Sequence, residues 1–331
     1  MIVESLAYAR AGLLGNPSDK YFGKAISISI KNFSARASLR QTPELQIEAQ
    51  SQDRNIYRNI HELAQSIDLF GYYGGERLVK AAIKKFNEYC LSQKILLEEK
   101  NFTVGYDSDI PRQVGLGGSS AIVTATLKGL IEFYGVSIPK EILPNLILEA
   151  ELGELGIGAG FQDRVIQVYE GCVYMNLDAR LIKEKGYGIY ERLDPKLLPD
   201  LYLAYKPTLA KVSGKVLNEI DEGFEKRDPS VIKILNQIAE LAEEGKRAML
   251  EGDKERLFDL MNENFDLRQK IMTIGEGNLQ MIRTARGCGA SAKFAGSGGS
   301  IIGIYKGEEM YGLLLRELGK LQAKVIKPII Q

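Results

Sequence analysis

The densest run of residues able to do chemistry is Pro111-Arg112-Gln113-Val114-Gly115-Leu116-Gly117-Gly118-Ser119-Ser120-Ala121. It leads into residues 122–134, where Val123, Leu127, Leu130 and Tyr134 recur at helical spacing, so the sequence predicts a glycine-rich loop feeding a helix that Gly135 ends. Gly115, Gly117 and Gly118 open backbone angles closed to other residues, and Ser119 and Ser120 fall where a helix needs side chains to cap its free amides. Amides gathered at the positive end of a helix dipole make a nest for a phosphate chain. A turn that merely caps a core helix would explain a lone glycine cluster. Three glycines, two hydroxyls and an amphipathic helix together favour phosphate. The loop is not of Walker type, because Gly23-Lys24, Gly214-Lys215, Gly245-Lys246 and Gly319-Lys320 are all followed by something other than Ser or Thr.

Composition removes other chemistries. His61 is the only histidine, which excludes Ser-His triads and His-Glu-x-x-His zinc sites together, and leaves a carboxylate, lysine or tyrosine as any general base. Cys90, Cys172 and Cys288 are isolated and odd in number, so neither a disulfide framework nor a four-cysteine zinc site is expected. Basic and acidic residues balance at 43 each, which gives no footprint for nucleic acid or an anionic membrane surface. No apolar run reaches the roughly 18 residues of a membrane span, and the first residues do not read as a signal peptide, so a cytoplasmic location is expected.

The loop resembles the second signature of the GHMP kinases, the family of galactokinase, homoserine kinase, mevalonate kinase and phosphomevalonate kinase. Lys293-Phe294-Ala295-Gly296-Ser297-Gly298-Gly299-Ser300 resembles the third; a hairpin turn alone would need fewer small residues in a row. Within that family, Leu14-Gly15-Asn16-Pro17-Ser18-Asp19, Gly71-Tyr72-Tyr73-Gly74-Gly75, Gln162-Asp163-Arg164-Val165 and Asn262-Glu263-Asn264-Phe265-Asp266 are similar to the glucuronokinase branch. The paired aromatics between glycines at 71–75 could equally stack on a ring or wedge two helices apart.

The resemblance implies transfer of the ATP γ-phosphoryl group to a hydroxyl, with ATP and Mg2+ as cofactors. On it, Pro111, Gly115, Leu116, Gly117, Gly118, Ser119, Ser120 and Ala121 with Gly296, Ser297 and Gly298 would hold the nucleotide. Ser119 and Glu151 would hold the metal, although the family's usual serine stands where this chain has Gly118, which leaves Ser119 and Ser120 to share the role. Asp163 would act on the acceptor hydroxyl, Arg10 would stabilise the transferring charge, and Asp19 is what remains of the first signature, as a ligand for sugar hydroxyls. Gly156-Ile157-Gly158-Ala159-Gly160 is not a dinucleotide fingerprint, because the strand it needs lies on the wrong side.

The elements that must position these residues read as follows. Residues 6–14, 25–30, 33–39 and 45–49 form strands of an antiparallel meander. Helices cover 56–70, 75–98 and 142–155, with a strand at 102–106 between the last two, and 165–176 reads as a strand pair with a last piece at 187–193. Asp194-Pro195 and Leu198-Pro199-Asp200 look like a linker, giving domains at 1–194 and 195–331. Beyond it come a strand at 201–205, helices at 214–226, 229–251 and 253–272, two strands flanking the second glycine loop, a helix at 308–320 and a strand at 324–330. The resemblance implies an α+β GHMP kinase fold, with a ribosomal-protein-S5-like first domain and a ferredoxin-like second domain, as a monomer or homodimer.

The acceptor that the resemblance implies is D-glucuronate, phosphorylated on its anomeric hydroxyl. A uronic acid needs a cation for its carboxylate; Arg164, Lys211, Lys215 and Arg268 are the candidates, with Arg164 the expected determinant of acid selectivity. Asn264 and Arg268 share the apolar stripe of the 253–272 helix, so they either tie helices together or face a ligand cavity: interior hydrogen bonding is the expectation for Asn264, and Arg268 could instead clamp a carboxylate. A neutral sugar, a heptose phosphate or a mevalonate-type acceptor is the alternative, and a non-catalytic nucleotide-binding regulator a more distant one.

Overall fold

The computed structural model describes residues 1–48 and 74–330. The helix expected at 56–70, His61, and Gly71 to Tyr73 lie outside the described residues, as do the side chains of Lys211 and Lys215.

Two strands organise the first part of the chain. β1 (Ile2–Leu14) and β2 (Lys24–Thr42) run antiparallel. Two strands were expected where β2 is one: Lys31 to Phe33 bulge out of the register between Tyr8–Ser34 and Ala9–Ile30, so the strand bends without breaking. The bulge is held by the C-terminal segment, with Lys31 donating its N–H to the Ile329 carbonyl (2.7 Å) and Asn32 bonding to Lys327 and Ile329. Ala25 to Ile30 are all buried, whereas Ala35, Ala37 and Leu39 alternate with exposed Arg36, Ser38 and Arg40. The first half of β2 is therefore covered on both faces and the second half on one.

β3 (Gln46–Ile47), β4 (Asn101–Ser108), β5 (Cys172–Asn176) and β6 (Ile189–Leu193) complete a six-stranded sheet in the order β3-β4-β2-β5-β6, with β1 also on β2. β3 pairs parallel with β4, so this edge is not a meander. Four helices follow on one another: α1 (Gly75–Ser92), α2 (Gly118–Tyr134), α3 (Leu143–Leu148), which continues as a π-turn over Glu149–Gly153, and α4 (Phe161–Tyr169); α2 and α4 lie on the sheet, and α1 and α3 pack on them. A helix stands at 161–169 where strand was expected. Its β-branched residues mimic a strand, but Val165, Ile166 and Tyr169 fall on one helical face and are buried against β1, β2 and α2. A short helix, α5 (Ala179–Lys185), precedes β6.

Beyond Leu193 the strands belong to another sheet. β7 (Leu201–Tyr205), β8 (Lys293–Phe294), β9 (Ser300–Ile304) and β10 (Lys324–Ile326) are antiparallel in the order β10-β7-β9-β8. Between β7 and β8 come α6 (Ser213–Glu225), α7 (Pro229–Glu251), α8 (Lys254–Gln269) and α9 (Glu276–Gly287), and α10 (Gly307–Lys320) follows β9. The chain's periodicity anticipates α6 to α8 but not α9. α7 and α8 turn back on each other through Gly252, at φ +73°, and Asp253, whose side chain caps α8. α8 touches β1 of one sheet and β8 of the other, so a residue on its buried face stands where the two sheets meet. One hydrophobic core joins Ala9 and Ile28 of the first sheet and Leu127 and Val165 of the helices beside it to Leu203, Leu260 and Ile302.

Candidate active site

The glycine-rich loop ends in a helix, but not through a serine cap. Gly117, at φ +75°, is the N-cap of α2, and no side chain caps it. Ser119 and Ser120 instead lie inside the first turn, and Ser120 Oγ donates back to the Gly117 carbonyl (3.0 Å). The first bond of the helix runs from Ala121 N–H to Gly117 O (3.0 Å), which leaves the amides of residues 118–120 without intrahelical acceptors. These are the groups an anion would meet.

The second loop lies against the first. Ser300 Oγ donates to the Val114 carbonyl (2.6 Å), and a Cβ on Gly115, itself at φ +70°, would come 2.9 Å from Gly298 O and Ser297 N. A Cβ on Gly296 would run into the Gly115 carbonyl. Pro111 leads into this junction half-buried, and Leu116, fully buried, accepts the Arg10 N–H through its carbonyl (3.0 Å).

Arg10 joins the parts. From β1 it gives Nε and Nη2 to the two oxygens of Asp163 (2.6 and 2.7 Å) and Nη1 to the carbonyls of Gly115 (2.6 Å) and Ala295 (3.0 Å). One guanidinium thus spans both glycine loops and the carboxylate. Asp163 sits in the first turn of α4 and faces Gly117, where a Cβ would lie 3.4 Å from its Oδ2. Burial alone would raise this carboxyl, but the charges of Arg10 and Arg164 outweigh it and hold it below the usual carboxylate range. One turn along, Gln167 Nε2 donates to Gly117 O (2.8 Å) and steadies the same point.

Glu151 is wholly buried in the π-turn after α3. Its Oε1 accepts from Ser119 Oγ (2.6 Å), and its Oε2 accepts from Arg164 Nη2. Ser119, not Ser120, is therefore the hydroxyl brought to this carboxylate. Glu149 and Glu154 are not part of this contact, and Glu154 instead pairs with Lys84 and Lys85 on α1. The Ser119–Glu151 pair fits a magnesium ion: both donors are hard oxygens, and their 2.6 Å separation approaches the roughly 3 Å between adjacent ligands of an octahedral ion. Among the described residues no cluster of three or more His, Cys, Asp or Glu side chains gathers, so such an ion would complete its shell with water and phosphate.

Asp19, in the 3-10 turn Ser18–Tyr21, accepts a hydrogen bond from the Gln162 N–H (3.2 Å) beside Asp163. Burial and the neighbouring Asp163 charge push its carboxyl up to about 6. Arg164 is committed to Glu151 and to the Gly160 carbonyl (2.8 Å). Asn264 and Arg268, one turn apart on α8, are both buried. Asn264 accepts from Gly15 N–H (2.9 Å) and donates to Asn16 O (3.1 Å), which fixes the turn carrying Asp19; Arg268 Nη1 donates to Gly296 O (2.8 Å). Arg10, Asp19, Glu151, Asp163, Arg164, Arg268 and both loops thus converge from five elements. Lys293, Asn16 and Gln167 belong to the same cluster, and sequence reasoning missed them. Lys293 Nζ is buried among Gly12 O (2.8 Å), Asn16 Oδ1 (2.5 Å) and Phe294 O (2.9 Å). Its signal was a lysine opening a glycine loop between apolar strands.

Residues 77–171 match the family model of the GHMP kinases N terminal domain. The chain is 43% identical to "Probable glucuronokinase 2" of Arabidopsis thaliana over 99% of its own length and 91% of that protein's, and 42% identical to "Glucuronokinase 1" of the same plant over 91% and 84%. Its fold superposes on the crystal structure of Lactococcus lactis galactokinase complexed with galactose with a TM-score of 0.78 at 15% identity, covering 99% of this chain and 93% of the other. The chain belongs to the GHMP kinases and is an ATP-dependent phosphotransferase of that family.

Proposed function

We propose that the protein transfers the γ-phosphoryl group of ATP to the anomeric hydroxyl of D-glucuronate, giving glucuronate 1-phosphate and ADP. The observation that carries this reading is the Arg10 bridge, which sets the Asp163 carboxylate against the carbonyl of Gly115 and the first turn of α2. The glucuronokinase relatives support the acceptor.

In this reading the amides of residues 118–120 and the second loop, Gly296 to Gly298, hold the triphosphate. Asp163, kept ionised by Arg10, accepts the hydrogen bond of the acceptor hydroxyl and aims its oxygen in line with the γ-phosphorus. A carboxylate this acidic is a weak base, so its work is alignment first and proton acceptance late, once the leaving oxygen has departed. Arg10 meanwhile offers positive charge beside the transferring group. Bound at Ser119 and Glu151, magnesium would neutralise phosphate charge. Asp19 receives sugar hydroxyls. We further assign the six-stranded sheet and its helices to a ribosomal-protein-S5-like domain, residues 1–194, and the four-stranded sheet to a ferredoxin-like domain, residues 195–331.

The test is a panel of acceptors with coupled detection of ADP. Glucuronate should give the highest kcat/KM; a neutral hexose, a heptose phosphate or mevalonate ahead of it would assign another acceptor to the same machinery, and ATP binding with no turnover of any would leave a regulator.

A further inference from the structure

Among the described residues four basic side chains are buried: Arg10, Arg164, Arg268 and Lys293. Two have a carboxylate of their own, Arg10 in Asp163 and Arg164 in Glu151. Arg268 and Lys293 are hydrogen-bonded only to neutral groups. Arg268 gives Nη1 to the Gly296 carbonyl and Nε to Met272 Sδ (3.0 Å), and its guanidinium lies over the Phe294 ring at 5.2 Å. Lys293 meets two carbonyls and the amide oxygen of Asn16. Asp19 is the remaining buried carboxylate among the described residues; it acts on both at a distance, but its own hydrogen bond comes from Gln162. Proteins keep a buried charge where something neutralises it, and among the described residues Arg268 has no carboxylate in an ion pair with it, as Arg10 and Arg164 have.

Of the three guanidinium nitrogens of Arg268, Nη2 is the one with no hydrogen-bond partner among the described residues. Its electrostatic neighbours are Asp19, Tyr21 and Arg10, on the acceptor side of Asp163, while the phosphate nest has its own donors in α2. Arg164 cannot serve in the same way, because one of its terminal nitrogens is held by Glu151 and the other by Gly160.

We propose that Arg268 is the receptor for the carboxylate of a uronic acid acceptor, and so the residue that selects an acid over a neutral sugar. This rests on the acceptor named above. Arg268 makes the contact through Nη2, and Phe294 and Gly296 keep the guanidinium in place.

Calorimetric titration of D-glucuronate, neutral D-glucuronamide and a non-hydrolysable ATP analogue into the wild type, Arg268→Gln and Arg268→Lys tests this. The wild type should prefer the acid to its amide. Arg268→Gln should weaken glucuronate by about 100-fold, the value of a charge-assisted bond in a dry site, with the amide and the nucleotide little changed, and Arg268→Lys should recover part of the loss. Unchanged glucuronate affinity in Arg268→Gln would overturn the proposal, and so would an equal loss for the nucleotide, which would mean that the anion is a phosphate. Should Arg268→Gln fail to fold, the wild type alone decides: equal affinity for acid and amide overturns the proposal. Turnover of glucuronate by the wild type is read separately, so a kinase that uses glucuronate but keeps its acid preference in Arg268→Gln refutes only the role of Arg268.

Discussion

Asp163 and Arg164 are adjacent on one helix, yet each belongs to a different buried ion pair, and the two pairs are built for different ends. The Asp163 side chain, clamped by Arg10, keeps 17% of its surface exposed, whereas Glu151, clamped by Arg164, keeps none. The first pair is a finished tool: its carboxylate is ionised, aimed past Gly117 and reachable. The second is closed, and a cation can reach Glu151 only if Ser119 turns from it or Arg164 lets go. Pairing with arginine therefore leaves one carboxylate ionised and reachable and encloses the other.

The comparison breaks most visibly at Asp163. Asp163→Asn should lower kcat by about 1,000-fold, within the range a positioned proton acceptor commands, while nucleotide affinity holds. A loss of less than tenfold in stopped-time assays would remove this carboxylate from the chemistry. Glu151→Gln should act differently. It leaves Arg164 buried without its counter-ion, at a cost of about 3–5 kcal/mol in denaturant unfolding, and raises the magnesium needed for half-maximal rate. Asp163→Asn strands Arg10 less severely, because two carbonyls still accept from it. Equal destabilisation of the two variants would erase the distinction between an open and an enclosed pair.

Arg164→Gln sharpens it further. With its arginine gone, Glu151 is a buried anion, and the protein should lose roughly 3 kcal/mol in metal-free buffer. Magnesium should then restore more thermal stability to this variant than it adds to the wild type, since an ion with differential affinity for the folded state stabilises it by mass action. An identical magnesium shift in both proteins would mean that the arginine and the ion do not share the carboxylate.

How much of this could be read from the chain depends on distance along it. The glycine loop and α2 are local, written in glycine placement and a 3.6-residue period, and both appear where expected, though the cap is Gly117 and not a serine. Asn264 on the apolar stripe of α8 is also local, and it ties the interior as a buried amide must. The meeting of Arg10 with Asp163 spans 153 positions and is set by sheet register, which composition does not encode; only resemblance to known kinases put the two in one sentence. α4 was hidden because Val165, Ile166 and Val168 favour strands until packing against β1 overrules them. The hold of Glu151 on Arg164 was hidden for a related reason: a sequence displays charges, not which one each will hold.

A smaller effect separates the two loops. The first owes its glycines to backbone angle, at φ +70° and +75°, and the second owes Gly296 to contact, since a Cβ there meets the Gly115 carbonyl and Arg10 Nη1. Gly296→Ala should push the loops apart, cost about 1–3 kcal/mol by overpacking, and raise the KM for ATP more than that for the acceptor. A variant as stable as the wild type with unchanged KM for ATP would show that the loops close over nothing.

Asp19→Asn takes its meaning from pH. The Asp19 carboxyl is pushed up from 3.8 to about 6 in the folded protein by burial and by Asp163. Because its folded value is the higher one, the proton it binds stabilises the fold fully below about pH 4, and that contribution fades as pH rises through 6, a difference of roughly 3 kcal/mol. Asp19→Asn should therefore be more stable than the wild type at pH 8 and close to it at pH 4, the reverse of what removing a structural ion pair would do. Function runs against stability here: sugar hydroxyls need the ionised form, so the wild-type KM for the acceptor should climb as pH falls below 6. In the Asn variant KM should be several-fold higher throughout and flat across that range. If the acidic limb of the KM profile survives the substitution, the titrating group is another one, and Asp163, held below the usual range by its arginines, is too acidic to supply it.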